Sequence, residues 1–254
     1  MSIMSSISKP ADRPVLVTIC GDSGTGKTTL ASTFPNPIVI RAEDGLQAIP
    51  ESKRPDAFPL LSTVDELWDQ LKGLINEPHD YQTLIVDSVT ALERLFVQHV
   101  VESDPKKPKG IQQAYGGYGA GRDNVAAMHG RVRKAAGLLA DKRQMHTVFV
   151  AHADTARIEP PDSDAYMRYT LRLHEKSMPA YVDDVDIVGF LKLETFTTGN
   201  EGERKKAISD GTRVLITHAT AANVSKNRFG ITGPLRVDAG VNPFTQIVPS
   251  LRSK

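Results

Sequence analysis

Cysteine is almost missing: Cys20 is the only one in 254 residues. That excludes a disulfide framework and any multi-cysteine zinc site, and it points to a reducing, cytoplasmic setting. No apolar run approaches the roughly 18–20 residues that would span a bilayer, so no membrane association is expected. Residues 1–10 are polar and serine-rich, without the apolar stretch of an export signal. An excess of one charge is lacking as well. Thirty-one basic against 30 acidic residues leave a formal net charge of +1, so any affinity for nucleic acid must come from local clusters. Internal repeats and low-complexity blocks do not occur. The remaining composition, 40% hydrophobic and 24% charged, excludes a disordered or fibrous chain. At roughly 100–200 residues per domain, one large domain is the expectation.

What is present alternates regularly. β-Branched apolar runs at Val15–Cys20, Ile38–Ile40, Thr83–Asp87 and Thr147–Ala151 predict buried strands. Between them the pattern predicts a helix from near Lys27, stopped by Pro35 and Pro37, and another from Asp87 to about Val100. A further helix covers about Asp123 to Asp141. Val64, Leu67, Trp68, Leu71, Leu74 and Ile75 recur at helical spacing and mark an amphipathic helix. Residues 44–62, with three prolines, read as irregular, and 102–122 as a mobile glycine-rich loop. Residues 153–180 form a second long polar stretch. Asp186–Glu194 and Thr212–Thr217 read as a hairpin joined by the charged connection 199–211. The expected fold is α/β: a mostly parallel central sheet flanked by helices, extended by an antiparallel β hairpin. A tail (1–12), a core (13–235) and a C-terminal extension (236–254) divide the chain.

Gly21-Asp22-Ser23-Gly24-Thr25-Gly26-Lys27-Thr28 matches the phosphate-loop pattern G-x-x-x-x-G-K-[ST] in full, between a predicted strand and a predicted helix. Glycines let successive backbone N–H groups curl around the β- and γ-phosphates. Lys27 neutralises phosphate charge and the Thr28 hydroxyl joins the Mg²⁺ shell, with Thr29 next in line to the nucleotide. Asp87, ending the strand Leu84-Ile85-Val86-Asp87, is the expected second metal residue, holding Mg²⁺ opposite Thr28. The guanine-reading Asn-Lys-x-Asp motif does not occur, so ATP is preferred to GTP. Glu43, just after Ile38–Ile40, is the candidate base for the attacking water, because adjacent parallel strands would bring it to the same sheet edge. Elsewhere, Lys106, Lys107, Lys109 and Arg122 surround Tyr115 and Tyr118, cations for phosphates interleaved with rings for bases, as in sequence-tolerant single-strand binding. Arg168 and Arg172 in the second polar stretch are candidates of the same kind.

The ordered set of phosphate loop, Glu43, LIVDSVTAL, a polar residue ending the fourth strand (VFVAHAD) and a late Lys-Asn-Arg (SKNRFG) resembles the RecA/RadA recombinase ATPase core. It is most similar to short phage-encoded RecA-like ATPases that act as single-strand annealing proteins. The resemblance covers residues 13–235. It implies an ATPase using ATP and Mg²⁺ and binding single-stranded DNA in a host cytoplasm. Its other implied partners are copies of itself, in a ring or filament, and a single-strand-binding protein. Glu43 then matches the water-activating glutamate, while His152 stands where the family has a glutamine that senses the γ-phosphate. Lys226 and Arg228 match a Lys-Asn-Lys that reaches across to a neighbour's γ-phosphate, here with arginine in third place. The two polar stretches match the family's DNA loops by position. Two other readings of the same phosphate loop stay open: a small-molecule kinase, and a nucleotide-dependent assembly regulator that does not hydrolyse ATP.

Overall fold

A computed structural model describes residues 3–9, 11–194, 196–198, 206–208 and 211–252. The apolar run after Pro14 becomes β1 (Leu16–Gly21), with every residue buried. The glycine-rich turn leads into a short α1 (Lys27–Ala31), which ends before Pro35, and Pro37 opens β2 (Pro37–Arg41). The irregular span contains 3₁₀ turns and a two-residue β3 (Asp56–Ala57). Helix α2 (Val64–Asn76) starts on a capping box in which Thr63 and Glu66 satisfy each other's backbone N–H. Then come β4 (Thr83–Asp87), α3 (Val89–Ser103, capped by Ser88) and α4 (Ala120–Arg143). The chain continues through β5 (His146–Ile158), β6 (Tyr166–Leu171), α5 (Pro179–Val182) and β7 (Ile187–Leu193). Small strands β8 (Phe196–Thr198), β9 (Lys206–Ile208), β10 (Arg213–Ile216), β11 (Lys226–Asn227) and β12 (Leu235–Val237) complete it.

The sheet runs β12-β10-β7-β1-β5-β4-β2-β3. From β7 to β3 the pairings are parallel; β10, β12 and β11 add antiparallel at the other end. This is the expected mostly parallel sheet with an antiparallel extension. Both faces are covered. Leu67, Leu92, Phe96 and Leu139 of α2–α4 pack with Phe149 and Tyr181 on one side. Leu30 and Phe34 pack with Phe244, Val248 and Leu251, from the chain's last segment, on the other. Each such Leu or Phe contributes about 1.5–3 kcal/mol on burial. Among the described residues no helix is long and apolar enough to cross a membrane.

Three segments differ from expectation. The 102–122 segment is pinned, not mobile: Ile111 and Ala114 are buried, and the Asp104 carboxylate accepts from the N–H groups of Lys106 and Tyr115. The second polar stretch is largely a β hairpin, because β5 runs on to Ile158 and pairs with β6 from Ala153↔Leu171 to Ile158↔Tyr166. A polar strand is held there by ladder hydrogen bonds and cross-strand neighbours instead of burial on both faces. Most of the connection 199–211 lies outside the described residues; β7 and β10 pair as expected, and β8–β9 form a further hairpin between them.

Candidate nucleotide site

Parallel register sets the site. Gly21 pairs with His152, and Asp87 with Arg41 and Val150, so the C-terminal ends of β1, β2 and β4 meet the middle of β5 at one edge of the sheet. A cavity of about 440 Å³ opens there, lined by Lys27, Thr28, Glu43, Asp87, His152 and Arg213 among others. Gly24 and Gly26 of the loop have φ of +76° and +94°, a left-handed conformation that a side chain would strain. Lys27 is buried in this loop, its Nζ donating to the Asp22 carbonyl at 2.8 Å, and burial holds its ammonium below the usual lysine range.

The Thr28 hydroxyl donates to Asp87 Oδ2 at 2.7 Å. Burial raises the Asp87 carboxyl above the usual range, against the Thr28 hydrogen bond that lowers it. A Cβ on Gly45 would lie 3.4 Å from Asp87 Oδ2 and 3.5 Å from Thr28 Oγ1. Glycine therefore keeps open the space beside an all-oxygen pair, the donor chemistry that a hard cation such as Mg²⁺ takes. The residues present fit that ion.

Glu43 reaches the cavity by a route other than the expected one. β2 does not neighbour β1, because β5 and β4 lie between them. Instead the N–H groups of Ala42 and Glu43 donate to the Asp87 carbonyl at 2.7 and 3.2 Å, folding the end of β2 over β4. His152 Nε2 donates to Glu43 Oε1 at 2.8 Å, the tautomer following from a carboxylate that can only accept. Arg94 lies 3.9 Å from the other oxygen. The His152 hydrogen bond is the main cause holding the Glu43 carboxyl below its usual range. The backbone N–H of His152 donates to Thr90 Oγ1, and its carbonyl accepts from Arg172 N at the root of the β5–β6 hairpin.

These contacts bring together Lys27, Thr28, Glu43, Asp87 and His152. Lys226 and Arg228 are not with them. They lie at the opposite sheet edge, where Lys226 pairs with Val188, its Nζ donates to the Asp183 carbonyl, and Arg228 bonds Asp186 at 3.2 Å. Lys106, Lys107 and Lys109 are exposed on the loop before α4, and Tyr118 is fully exposed. Tyr115 is partly exposed, with its hydroxyl 3.2 Å from Ser103. Arg122 is drawn inward to Glu93, which also lies 3.0 Å from the fully buried His129. Arg168 is half-buried on the hairpin, and Arg172 donates to the Ala153 carbonyl at the hairpin root. Arg213 and Gly45 escaped the sequence reading. Arg213 is far in sequence from the phosphate loop, and Gly45, two residues after Glu43, carries no side chain to mark it as part of a site.

The sequence matches the AAA domain family over residues 13–229. The chain belongs to the AAA-domain family. Membership implies a P-loop ATPase that uses a nucleotide and usually Mg²⁺. Among solved structures, the RadB recombinase is similar over 90% of this chain and 90% of that chain, at 14% identity and a TM-score of 0.48. No curated protein matches the chain.

Proposed function

We propose that the protein hydrolyses ATP with Mg²⁺ and couples that to binding single-stranded DNA, promoting annealing or recombination as a homo-oligomer. The observation that carries this reading is the double attachment of His152. Its ring holds the Glu43 carboxylate at the phosphate cavity, and its backbone carbonyl holds the root of the exposed hairpin. Mg²⁺, held by Thr28 and Asp87, would neutralise charge between the phosphates. Glu43, kept ionised by His152, takes a proton from the attacking water. Lys27 neutralises the phosphates of the bound nucleotide.

The exposed loop supports the DNA half of the proposal. Lys107, Tyr115 and Tyr118 have φ of +47°, +54° and +50°. Left-handed backbone at such side chains costs about 1–3 kcal/mol each, and strain of this kind gathers at functional segments. Two tyrosines beside three exposed lysines offer stacking and charge to a single strand. On the hairpin, Arg157 pairs with Met167 and Thr155 with Tyr169, giving an exposed face of mixed cation and ring. Lys226 and Arg228 serve a neighbouring subunit in this account, since their own phosphate loop is at the other end of the sheet; a cation in trans would stabilise the transferring phosphoryl group.

The test is ATP turnover with and without single-stranded DNA, for the wild type and for Lys27→Ala. Stimulated turnover that vanishes in Lys27→Ala is the expected result. Turnover indifferent to DNA would leave an ATPase without the DNA role, and full turnover in Lys27→Ala would end the whole reading.

A further inference from the structure

We propose that Arg213 is a nucleotide-binding cation acting within its own subunit, gripping the diphosphate that ATP and ADP have in common. The inference rests on the nucleotide reading above. Arg213 opens β10, 185 residues beyond Thr28 in the sequence, and comes to the phosphate loop because β10 pairs antiparallel with β7, which lies beside β1. Its Nε donates to the Thr25 carbonyl at 2.8 Å. A loop that turns its N–H groups toward an anion must turn some carbonyls away, and each of those needs a donor. Arg213 supplies one. A Cβ on Gly26 would lie 3.1 Å from the same Nε, so the guanidinium lies directly against the loop backbone. With Nε committed, the fork still has the two Nη groups, and a planar fork matches phosphate oxygens well.

Position says which part of the nucleotide this is. Arg213, Gly26 and Thr29 line both the 440 Å³ cavity and a second one of about 100 Å³, which continues to Val237–Val241. Glu43, Asp87 and His152 line the first cavity and not the second. Arg213 therefore stands where the two cavities meet, away from the carboxylates that attend the reacting phosphate. A cation placed there acts on ground state and transition state alike, which affects binding and leaves the chemical step alone.

Nucleotide dissociation constants for ATP and ADP, turnover, and the melting temperature without nucleotide are measured for wild type, Arg213→Ala and Arg213→Lys. Arg213→Ala should weaken both nucleotides in parallel by roughly tenfold or more, the scale of losing a charged hydrogen bond. KM should rise with kcat little changed, the salt dependence of binding should flatten, and the nucleotide-free melting temperature should fall by no more than about 2–4 °C, the cost of leaving the Thr25 carbonyl without its donor. Arg213→Lys should recover the salt dependence and part of the affinity. Unchanged affinity in Arg213→Ala, or a loss confined to kcat, overturns the inference while wild-type binding keeps the nucleotide reading intact. A fall in nucleotide-free melting temperature with no change in salt dependence also overturns it, assigning Arg213 to loop packing alone. Wild-type protein that binds neither nucleotide overturns both.

Discussion

Asp87 sits at the buried end of β4, and burial raises its carboxyl above the usual range. A raised folded-state pKa gives stability that is full below the unfolded pKa and lost as pH rises through the folded value. Near neutral pH the ionised side chain is thus a stability cost, one that the proposed metal role would account for. Asp87→Asn, which can still accept from Thr28, is expected to raise the nucleotide-free melting temperature by about 2–4 °C, taking roughly 1 kcal/mol of relief. The same variant should lose the extra stabilisation that MgATP gives over ATP with chelator. Calorimetry under the three conditions checks this, and a lower nucleotide-free melting temperature would contradict it. His146 carries the opposite sign at the far sheet edge. Its Nδ1 accepts from the Val15 N–H, and burial pushes its pKa from 6.5 down to about 4. Stability attributable to it is present above pH 6.5 and lost as pH falls toward about 4, at up to about 1.4 kcal/mol per pH unit. His146→Asn should flatten that limb of a stability–pH curve, and an unchanged limb would show that another group titrates there. Lys27, Thr28, Glu43 and Asp87 were legible in the sequence because each sits in or beside a local motif. The Glu43–His152 bond was not, since it depends on β5, β4 and β2 lying side by side, which no short stretch of sequence encodes.

At the scale of elements, the buried strands could be read directly, because runs such as Leu84-Ile85-Val86 have few other places to go. The β5–β6 hairpin could not. Its two strands, ADTARI and YMRYTL, do not alternate strictly between polar and apolar residues and bury only Ala153 and Leu171, so the cross-strand ladder is what makes them a strand pair. The order of the segment before α4 is hidden for a related reason: composition shows its glycines and lysines, whereas its order comes from the buried Ile111 and Ala114 and from the Asp104 carboxylate, which accepts from the nearby Lys106 N–H and the distant Tyr115 N–H. The left-handed tyrosines in that segment separate stability from function. Tyr118→Gly should relieve backbone strain and raise the melting temperature, because glycine adopts φ of +50° freely. The same change should cost about 1–3 kcal/mol in single-strand affinity if a base stacks on the ring. Titration with a fluorescent oligonucleotide, alongside thermal melting, gives both numbers. Unchanged affinity would reduce the loop to a structural connection.

Across the whole molecule the sheet separates the nucleotide site from a second pair of cations. The phosphate loop, Glu43, Asp87, His152 and Arg213 occupy one edge, while Lys226 and Arg228 occupy the other. An oligomer that stacks one edge of a subunit on the opposite edge of the next would complete each cavity with a neighbour's Lys226 and Arg228. Mixing tests this arrangement. Lys27→Ala subunits, dead but with Arg228 intact, should restore turnover to Arg228→Ala subunits whose phosphate loops are sound. Mixtures without rescue, together with normal turnover by Arg228→Ala alone, would remove the trans role. The account as a whole turns on Glu43, the carboxylate that His152 keeps ionised at the cavity. The measurement that tests it most directly is ATP binding and turnover by Glu43→Gln under the same conditions. ATP should bind with wild-type affinity while turnover falls roughly 10²–10⁴-fold, the scale of losing a positioned base. Wild-type turnover by Glu43→Gln would contradict it.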